Sequence, residues 1–281
     1  MSIAVMGAGG VGGCLGARLI QTGADVTLVA RGEHIQAMQR TGLRLNQANG
    51  HLTVPVNATD DPSRVGPVDL VLLAVKTYQV TEAADAINLV VGPNTQIITL
   101  QNGVDSASVL FEKYGPERVL PGTSYTIESP GVIRQQSKTM RIVFGKEDGR
   151  ITPEAEAVRD CLTPAIDAEL SADITSVLWS KFLLTAPVNA INATSRFPIT
   201  RLIQTDEGRD LLIGAMEEVA ADGVAAGVNI EPDAIQKGLR FMENLPQDQR
   251  MSMLTDIEAG RPLELEAQSG GSADELALQL P

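Results

Sequence analysis

Cysteine, aromatic side chains and basic charge are all scarce in this chain. Its two cysteines, Cys14 and Cys161, are too few and too far apart for a disulfide framework or a cysteine metal site. That excludes a fold stapled by covalent or metal cross-links and fits a reducing compartment. Cys14, inside a glycine-rich helical stretch, reads as a small packing residue. Aromatic residues make up 3% of the chain, and 22 Lys plus Arg face 35 Asp plus Glu, a formal net charge of −13. With no Lys/Arg stripe and no aromatic RNA-binding motif, nucleic acid and acidic membrane surfaces are poor partners, and the charge mainly favours solubility. Long apolar runs are missing as well. None reaches the roughly 18 residues of a membrane span, and the first strand starts too early to leave space for a charged leader and apolar signal core. The expectation is a cytoplasmic protein, neither secreted nor membrane-spanning.

What is present is an apolar fraction of 43% over 281 residues, enough for substantial cores in two domains. The strongest local signal lies at the start. The apolar run Ile3-Ala4-Val5-Met6 leads into Gly7-Ala8-Gly9-Gly10-Val11-Gly12, and a helical pattern follows from Cys14 to Ile20. Strand, Gly-x-Gly-x-x-Gly, helix is the order that binds a dinucleotide. The first glycine permits a tight turn, the second lets backbone approach a pyrophosphate, the third lets helix pack on strand, and the helix N-terminal N–H groups face the anion. Gly7, Gly9, Gly10, Val11 and Gly12 are therefore cofactor-binding candidates, with a merely structural turn as the alternative.

A second strand is due about 20 residues further on, and Ala24 to Ala30 supplies it. It ends in Arg31 where an NAD site places an acid for the ribose 2′-OH; a guanidinium suits a 2′-phosphate instead, so the expected cofactor is NADP(H), unless Arg31 is only a solvated strand end. Val68 to Val75 and Thr95 to Leu100 read as strands buried on both faces, as in a parallel sheet. Their polar ends, Lys76-Thr77 and Gln101-Asn102-Gly103, lie where open α/β sheets bind ligands. For each, an ordinary strand end or turn is the competing reading. From Val119 to Gly149, with Gly122, Gly131 and the strand Met140 to Phe144, antiparallel additions to the sheet edge are expected.

Helical character takes over after Gly149. Thr152-Pro153-Glu154 has the cap residue, first-turn proline and acid of a helix start. The pattern resets near residue 170, which divides an α/β dinucleotide-binding domain, residues 1–170, from an all-helical domain, residues 171–281. The helical part includes amphipathic segments from Glu207 to Ala226, stopped by Gly227, and from Pro246 to Ala259, stopped by Gly260. In the helix from Ser176 to Asn192, Lys181, Thr185, Asn189 and Asn192 share one narrow stripe at 100° per residue. Such a stripe either faces solvent or, if buried, requires polar partners. Pro187 should remove one backbone bond and kink this helix.

The glycine loop, Arg31, Val75-Lys76-Thr77, Leu100-Gln101-Asn102-Gly103-Val104, Trp179-Ser180-Lys181, and Ser252-Met253 followed by Asp256, Gly260-Arg261 and Glu264 together resemble the ketopantoate reductase family, the 2-dehydropantoate 2-reductases, from residue 1 to about 266. The resemblance implies a Rossmann-type domain joined to a helical one. It also implies NADPH-dependent reduction of ketopantoate to D-pantoate in pantothenate and coenzyme A biosynthesis, with no metal. By position, Lys181 matches the catalytic lysine and Glu264 the acid at the substrate. Lys76 matches a residue near the nicotinamide, Asn102 and Asn189 match amides that contact cofactor or substrate, and Ser252 matches a substrate contact. Thr185, a further substrate candidate, stands where many members have Asn, and Met251 where Ser is frequent. After Glu266 the chain reads Gln268-Ser269-Gly270-Gly271 in place of Asn-Gly and a further helix, so the tail is atypical and shortened. Another branched 2-oxo acid as substrate, or a catalytically weak NADP-binding sensor or scaffold, are the alternatives these departures raise. Unburied apolar positions on the later helices would permit a homodimer.

Overall fold

A computed structural model describes residues 1–47, 50–125, 133–135, 140–247 and 249–270. In chain order the first part runs Ser2–Met6 (β1), Gly10–Gln21 (α1), Asp25–Val29 (β2), Gly32–Thr41 (α2), Leu43–Gln47 (β3), Gly50–Val54 (β4), Asn57–Thr59 (β5), Val68–Leu73 (β6), Val80–Ala86 (α3) and Val91–Thr99 (β7). It continues with Ser106–Tyr114 (α4), Val119–Tyr125 (β8), Ile133–Gln135 (β9), Arg141–Phe144 (β10), Pro153–Leu162 (α5) and Asp167–Leu170 (β11). The helices Ile174–Ser195 (α6), Ile199–Leu202 (α7), Asp206–Ala225 (α8), Ala234–Glu243 (α9) and Ser252–Glu258 (α10) follow. Two compact units result: Met1–Gln101 with Asp105–Ile174, and Asn102–Val104 with Thr175–Pro281.

The first unit is a sheet in the order β11-β10-β8-β7-β6-β1-β2-β5, beside a small sheet β4-β3-β9. β6 shows why the strands are apolar throughout. Leu70 and Leu72 enter one core with Leu15, Leu19, Leu28 and Phe144, while Val71 and Leu73 enter the other with Val80, Ala83, Ile97 and Leu110. Both faces are covered, so period-2 alternation separates two cores and not core from water. Thr152 caps α5 as its sequence suggests, its Oγ1 accepting from the Ala155 N–H at 3.3 Å.

The edge between Val119 and Gly149 departs from expectation. β8 pairs parallel to β7, with Ile97 opposite Val119; of the described edge pairings only β8 with β10 is antiparallel, and β11 runs parallel to β10. α4 lies between β7 and β8, and a helical crossover returns the chain in the same direction. Gly131 and the tail from 272 to 281 lie outside the described residues.

In the second unit, Leu183, Val188, Ile199, Leu212, Met216, Leu239 and Met242 form the core. α6 is long and apolar enough, by length and composition alone, to cross a membrane. Here it is the core helix, with Phe182, Leu183, Ala186 and Val188 buried. The helix expected from Pro246 onward begins only at Ser252, because Met251 is extended at φ −83° and ψ 162°.

Candidate active site

The glycine loop is built by close backbone approach. Gly7 has φ +92°, and a Cβ there would lie 2.9 Å from the Ala74 carbonyl oxygen; a Cβ at Gly12 would lie 2.1 Å from the Gly7 carbonyl oxygen. Neither position accepts a side chain. At Gly9, by contrast, a Cβ would meet nothing within 4 Å. Gly9 is the N-cap of α1, whose first turn carries no acid. The first-turn N–H groups of a helix have no intrahelical acceptor, and an open, uncharged approach over Gly9 fits a pyrophosphate. The loop is braced by His34, whose Nε2 donates to the Ala8 carbonyl at 2.7 Å, a contact that sequence patterns do not reveal.

Arg31 follows β2 and is the N-cap of α2. Its Nη1 donates to Glu82 Oε1 on α3 at 2.7 Å, with both side chains largely exposed. Lys76, half-buried, begins the turn after β6, and its N–H donates to the Gln79 side chain at 3.3 Å. That turn is fixed by Gln101, whose Nε2 donates to the Leu73 carbonyl at 2.9 Å and the Val75 carbonyl at 3.1 Å. Gln101 is 5% exposed and also accepts from Thr99 Oγ1, so it stitches the carboxyl ends of β6 and β7 together.

The second unit holds the polar stripe of α6, and it is not a solvent face: Asn189 is 2% exposed and Asn192 0%. Lys181 Nζ donates to Asn102 Oδ1 at 3.1 Å. Asn189 Nδ2 donates to the Thr185 carbonyl at 2.9 Å, in the turn that contains Pro187, and its Oδ1 accepts from Ser252 Oγ at 3.3 Å and the Met253 N–H at 3.2 Å. Asn192 Oδ1 accepts from the Met251 N–H at 3.0 Å while its Nδ2 donates to the Phe197 carbonyl at 2.7 Å. The two amides thus receive backbone N–H groups at the start of α10, in the manner of caps, and hold Met251 extended. Asn189 is placed as a support of Ser252, with most of its hydrogen-bonding capacity already engaged.

α10 is closed at its other end by Arg261. Arg261 Nε donates to Asp256 Oδ1 at 2.7 Å, and Asp256 is buried. Glu264, 6% exposed, comes three residues later and accepts from Gln268 Nε2 at 3.5 Å. Gly103, next to Asn102, approaches the Ala267 backbone so closely that a Cβ would lie 2.7 Å from its carbonyl oxygen. Asn102, Lys181 and the 264–268 segment therefore belong to one unit, while the glycine loop, Arg31 and Lys76 belong to the other. Among the described residues, no group of three or more His, Cys, Asp or Glu side chains is arranged to hold a metal ion.

Residues 3–149 match the family described as ketopantoate reductase PanE/ApbA, and residues 173–277 match its C-terminal domain. The chain belongs to the ketopantoate reductase family. It is similar to the 2-dehydropantoate 2-reductase of Mesorhizobium japonicum, 30% identical over 95% of this chain and 89% of the relative. The Halobacterium salinarum 2-dehydropantoate 2-reductase is 29% identical over 96% and 90%. Among solved structures, the 2-dehydropantoate 2-reductase of Geobacter metallireducens superimposes with a TM-score of 0.92 at 30% identity, covering 99% and 94% of the two chains. A D-mandelate dehydrogenase at 20% identity and a TM-score of 0.87 shares the fold. The ketopantoate reductase family consists of oxidoreductases that use NADPH.

Proposed function

We propose that this ketopantoate reductase family member reduces ketopantoate to D-pantoate with NADPH, in the cytoplasm and on the route to coenzyme A. Residues 1–170 would carry the cofactor and residues 171–281 the substrate chemistry. The observation that carries the reading is the hydrogen bond from Lys181 Nζ to Asn102 Oδ1 at 3.1 Å. It fixes an ammonium on α6 with an acceptor that takes one of its three donors.

Gly7, Gly9, Gly10, Val11 and Gly12 would hold the pyrophosphate, Arg31 the 2′-phosphate, and Lys76 would serve the nicotinamide end. When bound, the reduced nicotinamide supplies a hydride to the ketone carbon. The carbonyl bond becomes single, and its electron pair settles on oxygen. Lys181 stabilises that developing charge and transfers a proton to it, leaving a hydroxyl on the product and a neutral amine that is reprotonated from solvent. Glu264 favours the charged lysine and accepts from a substrate hydroxyl. Ser252, held by Asn189, donates to the substrate carboxylate.

A different branched 2-oxo acid is favoured by one feature: Thr185 replaces the usual Asn one turn beyond Lys181. The test is loss of NADPH absorbance with ketopantoate and a panel of branched and aromatic 2-oxo acids. The proposal expects the highest kcat/KM with ketopantoate. A higher value for another acid would move the substrate, and tight NADPH binding without any turnover would make the protein a non-catalytic binder.

A further inference from the structure

In the sheet, β1 lies between β6 and β2, all parallel, and its carboxyl end continues into the glycine loop. Arg31 comes two residues after β2, and Glu82 lies on α3, which follows β6. Their ion pair, 51 residues apart in sequence, therefore links the segments on either side of the glycine loop's strand. Arg31 holds the Glu82 carboxyl below its ordinary range, first through the hydrogen bond and then through its charge. A surface pair of this kind adds little to stability. Its position gives it another consequence.

A dinucleotide site reads the ribose 2′ position with one of two groups: a carboxylate that accepts from the 2′-hydroxyl, or a guanidinium that binds the 2′-phosphate. This chain has the guanidinium at the end of β2 and a carboxylate already bound to it from α3. Accepting the proposed role of Arg31, the 2′-phosphate of NADPH and the Glu82 carboxylate are two anions directed at one guanidinium. The 2′-hydroxyl of NADH is a donor that a carboxylate tolerates or welcomes. We propose that Glu82 is a cofactor-specificity residue that restrains the preference of this enzyme for NADPH over NADH.

The test is titration of the whole protein with NADPH and with NADH, followed by cofactor fluorescence and without turnover. Glu82→Gln keeps the size and removes the charge. It should tighten NADPH by roughly two- to fivefold at low salt, the order expected of one nearby exposed charge, and leave NADH unchanged or weaker. The gain should shrink as salt rises. A ratio of the two dissociation constants that stays within twofold of wild type, or that moves toward NADH, would overturn the proposal. Arg31→Ala tests the underlying reading separately, since it should abolish the preference for NADPH. If Arg31→Ala leaves the ratio unchanged, Arg31 does not read the 2′ position. If Arg31→Ala collapses the ratio and Glu82→Gln does not move it, the inference about Glu82 alone fails.

Discussion

The two units shape their candidate sites by opposite means. The glycine loop works through missing side chains: backbone carbonyls crowd the positions Cβ atoms would take at Gly7 and Gly12, and the space above Gly9 is open. The α6–α10 region works through side chains that replace backbone: Asn189 and Asn192 are buried and take the N–H groups of Met253 and Met251. A site for an anionic dinucleotide can be cut out of regular βα geometry, because the helix terminus already carries the required donors. The proposed site for a small acid has no such ready-made element, and there buried amides set the angle of a short helix.

The contrast is broken most severely by adding atoms to the loop. Gly12→Val brings its Cβ to 2.1 Å from the Gly7 carbonyl oxygen, a backbone atom that cannot swing aside, so the loop itself must shift. Losing two charge-assisted N–H contacts at about 1.5–3 kcal/mol each should weaken NADPH by roughly a hundredfold or more. Gly9→Ala, facing open space, should leave the thermal melt unchanged while it still weakens NADPH. Equal melting losses in the two variants would show that the loop is not shaped by these contacts.

Removing a buried amide sharpens the other half. Asn192→Leu leaves the Met251 N–H and the Phe197 carbonyl without their partner and should cost ~1–3 kcal/mol in denaturant unfolding. NADPH affinity should hold while kcat/KM falls, since Ser252 starts the helix that Asn192 helps to place. A neutral stability change would sever this amide from the account.

A smaller effect comes from the tie between β1 and β6. Asp69 Oδ2 accepts from the Ser2 N–H at 2.7 Å, and chiefly for that reason its carboxyl titrates below the usual 3.8. A carboxyl whose folded value is depressed adds stability above its unfolded value and loses it as pH falls through the folded one. At this exposed position the gain should be under about 1 kcal/mol. Asp69→Asn should therefore lower the unfolding midpoint slightly at neutral pH, with the difference from wild type closing below about pH 3.8. A constant difference across that range would mean the charge is not the cause.

The parts legible in the sequence are those set by local pattern. Strands β1, β2, β6 and β7, the glycine loop and the stripe of α6 follow from apolar periodicity and glycine spacing. β3 and β4 are neighbours in sequence, with Gln47 opposite Gly50, but β9 joins β3 and β11 joins β10 through pairing between separated segments, which no local window carries. Local pattern does not mark α9 although Ile235, Leu239 and Met242 have helical spacing; Gly238, packed against Met216, interrupts it. Lys181 and Asn102 were both visible as residue types beyond a strand and on a helix, yet their contact spans 79 positions and needed the fold. The contacts of Gln101, His34 and Glu82 are hidden for the same reason, since each reaches a distant segment.

In the proposed mechanism, cofactor binding rests on the glycine loop while the chemistry rests on Lys181. Measuring kcat and the NADPH dissociation constant of Lys181→Ala side by side tests it most directly. The expected result is a fall in kcat of roughly 10²–10⁴ with NADPH affinity nearly unchanged. A near-normal kcat, or a loss confined to NADPH binding, would contradict it.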